Sequence, residues 1–181
     1  MATATVGASG ATFRGLAESS LTEPTQVGAA ATRPLLTDEK ERRVPLPLRG
    51  SRALVFMVSG HEPAWFYHAL HGFQQLLQLP PGWDSYEAKL IEDDVIVRAA
   101  EVLVALPLPV DAPAPCIVPG SSGSVQLEWH EAGADIEIHV SAGGHVSAYL
   151  SDHRTGQEVD FEMLDLEAYA NLGEVLAGLA R

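Results

Sequence analysis

Residues 124–163, "SVQLEWHEAGADIEIHVSAGGHVSAYLSDHRTGQEVDFEM", decide the fold. Their period is two. Val125, Leu127 and Trp129 fall on one side of the first run, and Gln126, Glu128 and His130 on the other. After the turn "EAGADI" the alternation returns with Ile136, Ile138 and Val140. After "AGGH" it returns again with Val146, Ala148 and Leu150. "DHRTGQ" supplies a third turn and "EVDFEM" a fourth strand. Successive side chains on a strand point to opposite faces, so each run has one apolar and one polar side. Tight turns between such runs join antiparallel neighbours. The stretch reads as a meander with one face turned to a core and one to water.

Upstream, the period changes. "ALVFMVSG" from residue 53 is β-branched, apolar and ended by Ser-Gly, which reads as a strand. In "HEPAWFYHALHGFQQLLQLPPG", Trp65, Phe66, Ala69, Phe73, Leu76 and Leu77 form a helical stripe. Pro63 suits the first turn, with His61 or Glu62 near the cap, and Pro80 and Pro81 stop the helix. A second stripe, Ile91, Val95, Ile96, Ala99, Val102, Leu103 and Leu106, ends at Pro107. Glu92, Asp93 and Asp94 crowd its start, where the helix dipole favours anions. The last segment, "LDLEAYANLGEVLAGLAR", is helical through Leu166, Tyr169, Leu172, Val175, Leu176 and Leu179. The expected fold class is α+β. An antiparallel meander of three to four strands is packed on one face by two or three helices.

The first 52 residues are rich in Ala, Thr, Ser, Gly and Pro, lack periodicity and read as a flexible N-terminal arm. Charge divides at the same boundary. The arm is net +2 and residues 53–181 are net −15, within a chain of net charge −13. The arm ends in "KERRVPLPLRGSR", which reads either as a solvated linker or as a docking segment, and its short, semi-extended "VPLPL" could add to a sheet edge or a groove. The docking partner would be an anionic molecule or the chain's own acidic body. A chain of net charge −13 and pI near 4.8 lacks the basic face that phosphate neutralisation requires, so no binding to free nucleic acid is expected. The longest apolar run, "ALVFMV", is too short to cross a bilayer, and no secretion signal is visible. Cys116 is the only cysteine and permits no intrachain disulfide. A cytoplasmic protein without membrane contact and without a cofactor is expected. Cys116, entering a strand from a proline-rich connector, reads as a small buried residue.

Few constellations carry chemistry. His68 and His71 are neighbours on one helix surface and with a distant carboxylate could hold zinc. Partly exposed histidines beside an aromatic stripe are the plainer reading. If the first two strands of the meander pair around "EAGAD", Glu128, His130, Glu137 and His139 share the polar face. Such a set could do acid–base work in a small hydrolase or metal-dependent enzyme. Alternation alone also produces it as a solvated surface. No phosphate loop or nucleophile elbow is present.

Between the first two helices stands "LPPGWDSYEAKLI", residues 79–91. Asp84 or Ser85 can accept hydrogen bonds from the turn that opens the second helix. Trp83 and Tyr86 can fold beneath that turn as a clasp, or form a binding surface. Together with "VPGSSGSVQLEWHEAGADIEIHV" the stretch resembles a family of small, uncharacterised bacterial and phage-borne proteins. That family has a Trp-Asp loop between two helices, followed by a strand with a Gln-Leu-Glu-Trp core. The resemblance covers residues 76–140 and carries Trp83, Asp84, Tyr86, Ala88, Pro119, Gln126, Leu127, Glu128 and Trp129. Glu87 stands where glycine is common. The resemblance implies a fold core and suggests a partner-binding accessory, antitoxin- or immunity-like. Two functions are therefore expected to compete. One is a non-catalytic interaction module or assembly component for another, basic protein; the other is the enzyme just described.

Overall fold

The computed structural model describes residues 12–20, 42–162 and 166–179. Three strands open the chain: β1 (Thr12–Ser20), β2 (Arg42–Pro47) and β3 (Arg52–Ser59). Two helices follow, α1 (Ala64–Gln78) and α2 (Asp93–Ala105). Five strands come next: β4 (Cys116–Pro119), β5 (Val125–Glu131), β6 (Ala134–Val140), β7 (Val146–Asp152) and β8 (Gln157–Glu162). Helix α3 (Leu166–Leu179) ends the described chain. The fold is α+β, as its alternating and helical patterns require.

The meander is longer by one strand than expected. Its order is β4-β5-β6-β7-β8, all antiparallel. The extra member, β4, pairs Ile117 with Leu127 and Cys116 with Glu128. Between β5 and β6 the chain reverses through Ala132 (φ 52°) and Gly133 (φ 79°). Two positive φ values in a two-residue turn match the twist of the flanking strands and fix the register. Val125, Leu127, Trp129, Ile136, Ile138, Val140, Val146 and Ala148 are buried as the alternation demands.

A second sheet, β1-β3-β2, is also antiparallel. It corrects the boundary drawn at residue 52. Residues 42–52 belong to the body, with Leu46 fully buried and Leu48 nearly so. Pro45 and Pro47 lie on the edge strand β2, where a missing N–H is tolerated. The rest of the expected flexible arm, residues 1–11 and 21–41, lies outside the described residues. The basic end of the arm docks on the protein's own acidic body. The backbone N–H of Arg49 donates to Asp93 Oδ2 at 2.9 Å, and its guanidinium to Asp93 Oδ1 at 2.8 Å and the Ile91 carbonyl at 2.8 Å. Arg52 pairs with Asp94 at 3.1 Å. Two members of the acidic trio, Asp93 and Asp94, thus each serve an ion pair as well as the helix dipole.

Both sheets share one core with the helices. Trp65, Phe66, Ala69, Leu70, Phe73 and Leu76 form the buried face of α1. Phe66 meets Phe56 of β3 edge-on, centroids 5.4 Å apart. Its residue Gly72 lies so close to β4 that an added Cβ would sit 2.5 Å from Ile117 Cγ1. The cap of α1 differs from expectation. Pro63 itself occupies the N-cap position, with no side-chain cap. The proline-rich connector between α2 and β4 is pinned by two indoles. Trp65 Nε1 donates to the Pro109 carbonyl at 3.3 Å and Trp129 Nε1 to that of Pro113 at 3.0 Å. Burying a large apolar side chain contributes about 1.5–3 kcal/mol, and these donors leave no unpaired indole N–H to offset it.

Candidate interaction surface

Because helices take the apolar side of the five-stranded sheet, its polar side is left open among the described residues. Strand register sets out that side in rows. One row runs Cys116, Glu128, Glu137, Tyr149, Asp160 from β4 to β8. A second runs Gln126, His139, Ser147, Glu162, and a third His130, Asp135, Ser151, Glu158. These side chains are half-buried or exposed throughout. Residues 116–162 contain eight carboxylates, four histidines, one arginine and no lysine. The arginine, Arg154, is held by Asp152 at 3.2 Å.

His130 organises one corner. Its Nδ1 lies 2.8 Å from Asp135 Oδ1 and its Nε2 3.3 Å from Glu128 Oε2. His153 reaches the other oxygen of Asp135 at 2.8 Å. Hydrogen bonding to Asp135 first, and to Glu128 second, raises the His130 pKa above its ordinary value. The same contact with His130 lowers that of Asp135. At the far side His145 pairs with Glu162 at 2.8 Å.

The expected polar set of Glu128, His130, Glu137 and His139 is therefore assembled on one face, with Glu128 directly opposite Glu137. Gln126 joins it. Trp129 does not, because it points to the core and is 1% exposed. Cys116 corrects another expectation. It is exposed, since its partner Glu128 is on the open face and directly opposed residues share a face. His68 and His71 lie exposed on α1. Among the described residues no group of three or more His, Cys, Asp or Glu could hold a metal ion.

The loop of Trp83, Asp84 and Tyr86 is built differently from a clasp opening the second helix. Asp84 Oδ1 accepts the N–H of Tyr86 at 2.9 Å and of Ala88 at 3.1 Å, while Gly82 N–H donates to the Ala88 carbonyl at 2.7 Å. The loop closes on itself, and α2 starts further on, with Glu92 in its N-cap position. Gly82 takes φ 73°, which only glycine adopts freely. Trp83 turns inward and its Nε1 is buried without a hydrogen-bond partner. Tyr86 stands 86% exposed, so it does not fold beneath the turn. Lys89 N–H donates to the Ser121 carbonyl at 2.9 Å, tying the loop to the β4–β5 turn. No helix among the described residues is long and apolar enough to cross a membrane. No protein-family model, curated protein or solved structure matches the chain.

Proposed function

We propose that this chain is a non-catalytic interaction module, an accessory or assembly subunit of the antitoxin or immunity-like kind. Its open sheet face holds a basic partner protein. The observation that carries this reading is the in-register pair Glu128–Glu137 on a face without lysine. Like charges directly opposite on neighbouring strands are destabilising. A partner that brings cations to the face relieves that repulsion and gains steering from the field of an acidic body.

The enzyme reading has one observation in its favour, the His130–Asp135 hydrogen bond, which resembles a base held by its orienting acid. Both ring nitrogens of His130 face carboxylates, and its pKa is raised. With both nitrogens engaged by carboxylates of the same face, neither is left free to take a proton from a substrate.

The test is purification from the native source at low salt. A stoichiometric partner is expected. It should be released by high salt and lost from the Glu128→Lys, Glu137→Lys double variant. A monodisperse monomer that retains no partner at low salt refutes the module. A partner retained by the double variant refutes the face.

A further inference from the structure

We propose that the open sheet face selects arginine. The row Glu128, Glu137, Tyr149, Asp160 receives the guanidinium groups of an extended, arginine-bearing segment of the partner protein. This rests on the reading of the chain as a module for a basic partner, and it adds which basic side chain is recognised.

Register supplies the geometry. Glu128 opposes Glu137, Glu137 opposes Tyr149, and Tyr149 opposes Asp160. Directly opposed residues project from the same face, roughly 5 Å apart. Two carboxylates therefore stand side by side, followed by an aromatic ring with a third carboxylate beyond it. Within residues 116–162 the one arginine is committed to Asp152, so the charge on this row is not neutralised by lysine or arginine of the same sheet. His130 approaches Glu128 from the next row, and Glu137 is the more open acceptor.

The aromatic member gives the row its preference. A guanidinium is planar, forks onto a carboxylate through two N–H groups and lies flat on an aromatic ring. It can satisfy Glu137 and cover Tyr149 at once. An ammonium is a compact, strongly hydrated point charge and forms no fork. Glu128 and Asp160 are three strand intervals apart, roughly 14 Å. An extended segment places side chains four residues apart at about 13 Å, so arginines at i and i+4 reach both ends of the row.

The experiment titrates fluorescent nona-arginine and nona-lysine into the full chain at low ionic strength. Nona-arginine should bind about three- to tenfold more tightly. Tyr149→Leu should bring the two peptides to parity, while Tyr149→Phe, which keeps the ring, should preserve the ratio. Glu128→Gln with Glu137→Gln should weaken both. Circular dichroism confirms that each variant is folded. Cys116, exposed and directly opposite Glu128, reports location: nona-arginine should slow its alkylation by a maleimide. If neither peptide binds, the basic-partner reading itself falls. If both bind equally and Tyr149→Leu changes nothing, the face accepts cations but does not select arginine. Selective binding that leaves Cys116 alkylation unchanged would place the arginine site elsewhere and overturn the proposal.

Discussion

Replacing Asp93 with alanine strips the carboxylate that anchors the β2–β3 turn to the start of α2. Asp93 is 8% exposed and accepts both the backbone N–H and the guanidinium of Arg49. Breaking a buried ion pair from one side costs about 3–5 kcal/mol, because the surviving charge is left without compensation. The Arg49 side chain is 31% exposed, so water recovers part of that loss. Its Nη2 is already buried without a hydrogen-bond partner and gains nothing from the change. The expected cost of Asp93→Ala is about 2–3 kcal/mol. Asp93→Asn keeps an acceptor for the backbone N–H and should cost about half as much. With a urea slope near 2 kcal/mol/M, Asp93→Ala should move the unfolding midpoint down by about 1–1.5 M. A cycle with Arg49→Met should return a coupling energy of about 1–2 kcal/mol. An Asp93→Ala loss below about 0.5 kcal/mol with no coupling to Arg49 would refute the anchor.

Gly72→Ala should destabilise by about 1–2 kcal/mol although alanine is the better helix former, because the new methyl collides with Ile117. A Tm that rises instead would show that β4 yields freely. In the interhelical loop, Asp84→Ala should cost about 1 kcal/mol by freeing two N–H groups. Tyr86→Ala should stay within about 0.5 kcal/mol, since the ring touches mostly water; a large loss for Tyr86→Ala in urea titration would restore the clasp. His130 has a raised pKa in the fold, so its stabilisation is fully present below its ordinary value of 6.5 and fades as pH climbs through the raised value. Asp135, with a lowered pKa, contributes above its ordinary 3.8 and loses that contribution as pH falls through the lowered value. His130→Gln should therefore lower the urea midpoint near pH 6 and be silent near pH 9. An equal effect at both would assign His130 a packing role instead.

The meander was legible because its period is two and its turns are short. Those features set the polar face shared by Glu128, His130, Glu137 and His139, whereas the register that puts Glu128 opposite Glu137 depends on the two-residue turn at Ala132 and Gly133. Helices α1 and α2 were legible from apolar stripes bounded by prolines. What escaped was structure that only tertiary pairing creates. In "VPLPLRG" the buried Leu46 and Leu48 alternate in strand fashion, yet Pro45 and Pro47 leave addition to a sheet edge as one reading of the segment among several. The sequence places a strand start at Cys116, but β4 is four residues long and ends in proline, too little for its period to show which face Cys116 lies on. Tyr86 sits in a loop with no repeat to say which way a ring points. The Arg49–Asp93 contact joins residues 44 positions apart, and sequence offered only the opposite charges.

The margins of the five-stranded sheet govern how copies of this chain meet. An unpaired strand edge invites another strand, the first step of aggregation. At one margin β4 ends in Pro119, which brings no N–H to an incoming ladder. At the other, β8 exposes Glu158, Asp160 and Glu162 on alternate positions. A second copy laid along β8 would set three carboxylates beside three more. Self-templating is thus discouraged at both margins, and the broad acidic face can stay uncovered at cellular concentrations without recruiting its own kind.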